Sequence, residues 1–183
     1  MRDNNDIDLV EFLTEPSEPW KRSVFIGGSG LFCAGWTNES KIFLLFQDYY
    51  VIANPITGER EEVVEDSDLL QYLSKDNLEF KIEKINQKIK VFGIRGGEGN
   101  HYTSDFWSLR SFYINLDHFL IGLENLKNRR KHNIEYWKNY DLIKLERLEY
   151  TALKFGFSPD EKHFGIFGSS GVEIFSRSKV IAY

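Results

Sequence analysis

An internal repeat constrains the fold of this chain more than any other sequence feature. Residues 35–51, GWTNESKIFLLFQDYYV, align without a gap with residues 156–172, GFSPDEKHFGIFGSSGV. In each copy a polar turn separates two apolar segments and a second turn follows, which predicts a three-stranded β-meander. The aligned residues expected to share burial are Phe43 with Phe164 and Leu45 with Ile166. Two similar meanders can pack around one core, but such a repeat identifies no substrate.

Composition supports one folded domain. The 183 residues are 42% hydrophobic and 15% aromatic, and only four are proline, so the chain can bury a sizeable core. No low-complexity segment or flexible linker divides it. The sequence therefore predicts a single domain over residues 1–183. Its expected class is mainly β (α+β), with antiparallel meanders in a propeller-like or sandwich arrangement.

Three short peripheral helices are predicted around the meanders, at residues 6–14, 66–74 and 116–130. The first has apolar residues at three-residue spacing and ends before a proline. The third carries an apolar stripe at helical spacing between Leu116 and Leu126.

Further strands and turns are predicted between the meanders. Residues 78–83 alternate apolar and charged side chains, and residues 88–94 do so less cleanly, which predicts a hairpin. Residues 54–59, NPITGE, predict a turn at the end of a strand. Residues 141–155 fit a helix or a strand, and we favour a strand because the second meander needs an entering partner.

The order of these motifs resembles a widespread group of uncharacterised bacterial proteins. The resemblance is carried by residues 30–59, by GIRGGEGNHYTSDFW at 93–107 and by FGFSPDEKHFGIFGSSGVEIFSR at 155–177. The family pattern is a meander closing in a D-x-x-T-G-E turn, a central Gly-Gly loop with T-x-D-x-W, and a second meander after F-S-P. This chain has Asn54 where that turn usually has Asp. The resemblance implies two meander repeats and carries no activity, and the string at 157–164 also looks like one β-propeller blade.

Charge and cysteine content narrow the class of partner and the compartment. The net charge of −5 and the pI near 5.5 provide no overall attraction to phosphate, so no nucleic-acid partner is expected. The N-terminal residues do not have a signal-peptide pattern, and no run of 18 apolar residues predicts a membrane span. A lone cysteine, Cys33, fits a reducing compartment. We therefore expect a cytoplasmic protein with no membrane partner.

The Gly-rich loop at residues 95–107 concentrates side chains that can do chemistry. A histidine beside carboxylates can act in general acid–base catalysis, and the backbone N–H groups of a Gly-rich turn can hold an anion. The alternative is a plain connection, in which Thr103 satisfies local backbone groups and Trp107 fills the core. The candidate binding residues of the loop are Arg95, Glu98, His101 and Asp105.

No metal and no organic cofactor are predicted. The four histidines lack the close spacing of a metal-ligand pair. The loop lacks the Gly-Lys-Ser/Thr ending of a phosphate-binding P-loop, and the chain has no dinucleotide fingerprint. Cys33 lies in an apolar run, which predicts a buried, inert thiol rather than a nucleophile.

Negative charge is most concentrated in EREEVVEDSD at residues 59–68, which follows the predicted turn. Most such runs are simply solvated, but this one is the best candidate for a partner-facing patch. The basic run KNRRKH at residues 127–132 is interpreted as a solvated helix end. The candidate binding residues of the acidic run are Glu59, Glu61, Glu62, Glu65 and Asp66.

These observations predict a non-catalytic protein-binding module. The most concrete form is an immunity or antitoxin-like protein that neutralises a cationic toxin or effector by occluding it, because the chain is small, acidic, aromatic-rich and without a catalytic constellation. The alternative is an enzyme or small-ligand-binding protein that uses the loop at residues 95–107.

Overall fold

The computed structural model describes residues 9–74, 76, 78–83, 86–93, 97, 99–113, 119–128 and 136–177. This part of the chain is mainly β, as the sequence predicts, and no helix in it has seven or more residues. The described strands of the N-terminal half are β1 (Leu13–Thr14), β2 (Trp20–Gly27), β3 (Cys33–Trp36), β4 (Ile42–Leu45), β5 (Tyr49–Ala53), β6 (Arg60–Glu65), β7 (Glu79–Ile82) and β8 (Gln87–Gly93). Those of the C-terminal half are β9 (Trp107–Tyr113), β10 (Phe119–Asn125), β11 (Asp141–Ile143), β12 (Lys154–Phe157), β13 (His163–Gly168) and β14 (Gly171–Arg177).

The strands form three sheets, which we name by their positions. The outer sheet has the order β1-β11-β10-β9, the middle sheet β12-β13-β14-β2, and the curled sheet β6-β5-β4-β3-β8-β7. Neighbouring strands pair antiparallel, apart from β1 and β11, which are parallel. The architecture is therefore a stack of antiparallel sheets.

The middle sheet is buried on both faces. On one face Phe164 packs in a core with Trp107 and Ile121 of the outer sheet. On the other face Val172 packs in a second core with Leu44 of the curled sheet. A strand covered on both sides is buried at consecutive positions, which explains why β13 and β14 are rich in apolar residues on both faces.

The curled sheet encloses a core of its own. The hairpin of β7 and β8, which the sequence predicts, folds back over β3 to β5, and Phe80 is paired with Ile89 across it. The ring of Phe80 lies 4.9 Å from the ring of Phe43, measured between centroids. Leu69, from a short 3-10 segment, fills the same core. Both faces of β4 are consequently buried.

The two repeats form corresponding structures that differ in register at both hairpins. Residues 35–51 and 156–172 each form a three-stranded antiparallel meander, β3 to β5 and β12 to β14. The four matched residues, Phe43, Leu45, Phe164 and Ile166, are all fully buried, as predicted. Trp36 pairs with Ile42 in the first meander, whereas Phe157 pairs with Phe164 in the second, so the second turn is one residue longer.

Two of the predicted helices are shorter than expected. Within residues 6–14 the described part forms a 3-10 segment, Leu9–Phe12, that leads into β1, and residues 6–8 lie outside the described residues. Within residues 66–74 the structure has the 3-10 segment Leu69–Tyr72. So short a segment does not repay the cost of nucleating an α-helix. In the described ranges no helix is long and apolar enough to cross a membrane.

The predicted helix at residues 116–130 is wrong. Phe119–Asn125 is strand β10, followed by a 3-10 segment, and residues 114–118 and 129–135 lie outside the described residues. The strand buries Ile121 on one face and Leu120 on the other, in two different cores. Burial of both faces places apolar residues at nearly every position, so the helical spacing in this segment carried no information.

Candidate functional site

The predicted acidic residues lie along an end strand. β6 is the terminal strand of the curled sheet, with Glu59 just before it and Asp66 just after it. Its pairing with β5 skips Glu61, which marks a β-bulge. Charged side chains and bulges on an end strand also discourage unwanted strand pairing, so this placement serves solubility whether or not a partner binds.

One of the five carboxylates is already paired with a cation. The Nζ atom of Lys41 lies 2.7 Å from the Oε2 atom of Glu61 and 3.5 Å from the Oε2 atom of Glu39. Hydrogen bonding from Lys41 holds the pKa of the Glu61 carboxyl below its usual value. Among the described residues, Glu59 and Glu65 have no such ion pair, so their charge is available to a partner.

Apolar side chains are exposed among these carboxylates. Val63, within β6, is 49% exposed, and Ile56, in the turn before it, is 61% exposed. Asn54 fixes this turn, because its Oδ1 atom accepts hydrogen bonds from the backbone N–H groups of Ile56 and Thr57 at 2.9 and 3.2 Å. The acidic edge, as we call residues 54–66, therefore combines negative charge with small apolar contacts on a fixed backbone.

Three turns with one hydrogen-bonding pattern gather elsewhere in the molecule. They are residues 37–41, 103–107 and 158–163, and each begins with a hydroxyl residue whose side-chain oxygen accepts the backbone N–H of the last residue. The fourth residue of each turn has a positive φ: Ser40 at 61°, Phe106 at 79° and Glu161 at 58°. The central T-x-D-x-W motif is thus a third copy of the meander turn, which the sequence alignment missed.

The turn at residues 158–163 contacts each of the other two directly. The backbone N–H of Asp160 donates to the Oγ atom of Ser40 at 3.0 Å. The backbone N–H and the hydroxyl of Ser104 both donate to the carboxylate of Glu161, at 2.9 and 2.6 Å. These contacts join a turn of the curled sheet, a turn of the middle sheet and the turn that leads into β9 of the outer sheet. The three turns form one surface at an end of the molecule.

A buried ion pair accounts for Asp105, one of the predicted binding residues. Arg177, which is 4% exposed, donates two hydrogen bonds to Asp105 at 2.6 and 2.9 Å, and its guanidinium lies 4.6 Å from the ring centre of Trp20. Burial opposes ionisation of Asp105, but hydrogen bonds from Arg177 and Thr103 outweigh it and leave the pKa of Asp105 below its usual value. Asp105 is therefore engaged within the fold.

The other predicted loop residues do not assemble with Asp105 in the described structure. The ring of His101 stacks on Phe155 at 4.6 Å, and its backbone carbonyl accepts the N–H of Leu109 at 3.0 Å. Arg95 and Glu98 lie outside the described residues. His101 instead lines a cleft with Arg110 and Tyr140, which the sequence did not connect with it.

The described residues give little support to nucleophilic catalysis or to metal binding. Cys33 is buried, and desolvation raises the pKa of its thiol to about 12, so the reactive thiolate is strongly disfavoured. The Nδ1 atom of His163 lies 2.7 Å from the Oγ atom of Ser176, but His163 is buried and desolvation lowers its pKa. In the part of the chain that the structure describes, no group of three His, Cys, Asp or Glu side chains could hold a metal ion.

Two buried carboxylates were not anticipated from the sequence. Glu173, on β14, accepts hydrogen bonds from the backbone N–H groups of residues 146–148 and pairs with Arg22. Glu124, on β10, is buried beside Tyr140. Burial raises the pKa of the Tyr140 phenol, and a hydrogen bond with Glu124 raises it further. Each is a single charged residue inside an apolar strand segment, and this is the sequence signal that could have found them.

Comparisons with known proteins found no match. No family model matches the chain, and neither the curated proteins nor the solved structures contain a match to it. The resemblance to a bacterial family with two meander repeats therefore stays a prediction.

Proposed function

We propose that this protein is a non-catalytic binding module that recognises a cationic protein through the acidic edge. The observation that carries the proposal is the placement of Glu59, Glu62, Glu65 and Asp66, together with the ion-paired Glu61, along the end strand of one sheet. Carboxylates in fixed positions attract a basic surface without a cost for ordering the chain.

The local backbone supports recognition by a rigid surface. β6 pairs with β5 at every residue except the bulged Glu61, and Asn54 closes the turn at one end of it through four hydrogen bonds to the backbone of residues 56–59. At the other end, the backbone N–H of Asp66 donates to the carbonyl of Asp48 at 3.0 Å. An occluding inhibitor needs such a preorganised surface, because flexible contacts lose affinity when they become ordered.

The exposed apolar residues give the acidic edge the composition of an interface. Val63 and Ile56 lie among the carboxylates, so a partner can bury them at the centre while charges remain at the rim. The net charge of −5 extends the attraction beyond direct contacts and favours fast encounter with a basic protein. From this combination of features we infer an immunity or antitoxin-like role, in which the bound partner is a toxin or effector.

The decisive experiment measures association kinetics. The tagged full-length chain recovers its partner from native cells, and the purified pair is then studied at two ionic strengths. The variant Glu59→Lys/Glu65→Lys/Asp66→Lys should associate on the order of tenfold more slowly at low salt and lose most of its salt dependence. Glu61 is left unchanged because its reversal would also break the pair with Lys41.

A matched control separates a specific edge from overall charge. The variant Glu11→Lys/Glu83→Lys/Glu149→Lys changes the net charge equally at three exposed positions outside β6. It breaks the exposed ion pair between Glu83 and Lys81, and pairs of this kind contribute little to stability. It should retain most of the association rate. Equal slowing in both variants, or no slowing in either, would exclude the acidic edge, and failure of the bound protein to suppress the partner's toxicity in co-expression would exclude the inhibitory role.

A further inference from the structure

A cleft beside β9 has a chemistry unlike that of the acidic edge. Its volume is about 450 Å³, within the range of small-molecule sites, and it lies where residues 101 and 102 run along β9. Nine residues line it, and they include one cation and no carboxylate. Although the chain has a net charge of −5, the lining of this cleft therefore favours an anionic ligand.

Neighbouring tyrosines orient the guanidinium of Arg110, which is the cation of the cleft. The guanidinium of Arg110 lies 5.5 Å from the ring centre of Tyr136 and interacts with the phenol of Tyr140, which also interacts with Glu124. Glu124 is only 1% exposed and does not line the cleft. The buried carboxylate therefore orients the phenol, and the phenol orients the guanidinium.

A missing side chain makes this arrangement possible. Gly122 lies opposite Arg110 on the neighbouring strand, and Tyr140 packs over it. A Cβ atom at position 122 would lie 2.7 Å from the ring of Phe112 and 3.0 Å from the Cβ atom of Tyr140. Gly122 therefore leaves the room in which Tyr140 packs beside Arg110.

Aromatic rings form the remaining walls. His101 stacks on Phe155 with an interplanar angle of 21°, and Tyr102, held by a β-bridge to Ser108, is 63% exposed at the rim. Ser108 also lines the cleft. Hydroxyl and guanidinium donors next to flat rings suit a ligand with an oxyanion at one end and a ring at the other.

We propose that this cleft binds a small planar ring that bears a carboxylate or phosphoryl group. The two parallel N–H donors of a guanidinium fork match either oxyanion, because a carboxylate and a phosphoryl group each present two oxygens at a similar spacing. The ring stacks between Tyr102 and the His101–Phe155 pair. This site is independent of the acidic edge, and it places a small ligand at the C-terminal part of the Gly-rich loop.

Calorimetric titration with four probes tests the ligand class. The probes are benzoate, phenyl phosphate, inorganic phosphate and benzyl alcohol, and the last two each lack one half of the proposed ligand. Either aromatic acid should bind saturably and on the order of tenfold more tightly than both half-ligands, since ring stacking and the oxyanion contact each contribute to binding. The stronger of benzoate and phenyl phosphate identifies the oxyanion.

Substitutions locate the binding. Arg110→Lys keeps the charge but removes the fork, and it should weaken binding of the preferred acid about tenfold, whereas Arg60→Lys, outside the cleft, should leave it within about twofold. Thermal unfolding of each variant verifies the fold, and Tyr140→Phe provides a second variant if Arg110→Lys does not fold. No saturable binding of either acid, equal binding of a half-ligand, or equal effects of the Arg110 and Arg60 variants would overturn the proposal.

Discussion

The two meanders share a sequence pattern and a strand order but lie in different surroundings. The first, β3 to β5, ends beside the exposed strand β6, whereas the second, β12 to β14, belongs to the middle sheet and is covered on both faces. The turn of the first is joined to an exposed ion pair between Lys41 and Glu61, and that of the second to the buried pair of Arg177 and Asp105. One pattern therefore lies beside an exposed end strand in one copy and between two covered faces in the other.

The difference in register shows how little an alignment says about pairing. Phe43 lies opposite Gly35, but its counterpart Phe164 lies opposite Phe157, because the second turn has one more residue. Both phenylalanines are nevertheless fully buried. Both faces of β4 and of β13 are covered by cores, so each phenylalanine is buried whichever face of its strand it occupies.

The largest expected effect tests whether the two copies contribute equally to stability. Phe43→Ala and Phe164→Ala should each lower the free energy of unfolding by about 4 kcal/mol, because each leaves a large cavity in a core without access to solvent. Urea denaturation followed by tryptophan fluorescence measures both values. A difference above about 2 kcal/mol would show that one meander dominates the fold.

The second largest effect should distinguish the ion pair beside one meander turn from the ion pair beside the other. Arg177→Met leaves Asp105 buried without its partner and should cost about 3 kcal/mol. Lys41→Met breaks an exposed pair and should cost less than about 1 kcal/mol. The same denaturation experiment compares them at low and high salt, and equal losses for the two variants would contradict the assignment of one pair to the core and the other to the surface.

The smallest effect is a pH dependence confined to the second meander. His163 occupies the position of Ile42 in the first copy, and burial lowers its pKa in the folded protein. The unfolded chain therefore binds the proton first, so stability should fall as the pH decreases through the ordinary histidine range near 6.5, with a slope of at most about 1.4 kcal/mol per pH unit.

A comparison of variants isolates this histidine from the other three. His163→Gln keeps a hydrogen-bonding partner for Ser176 and does not titrate, so its stability should be flatter between pH 7 and pH 5 than that of the native protein. Unfolding midpoints across that range provide the measurement. Parallel curves for the two proteins would place the pH dependence elsewhere.

Some features of the candidate sites could be predicted from the sequence and others could not, and particular residues show why. The acidic run was identified from composition, but its location on an end strand depends on the position of β6 in the sheet order, which no local pattern encodes. Asp105 was predicted as a binding residue because it lies near His101 in sequence, yet it pairs with Arg177, 72 positions away. The cleft residues Arg110 and Tyr140 come from separate segments and had no shared motif.

The sequence by itself determined the β class, the two meanders and the turns at Asn54, Thr37 and Ser158, since these depend on alternation and on hydrogen bonds within about five residues of chain. Only the tertiary structure decided that Phe119–Asn125 is a strand and that Glu173 is a buried acceptor for residues 146–148. It also decided which meander lies next to the exposed end strand β6. These features arise from contacts between segments far apart in the chain, where pairing and two-sided burial override local propensity.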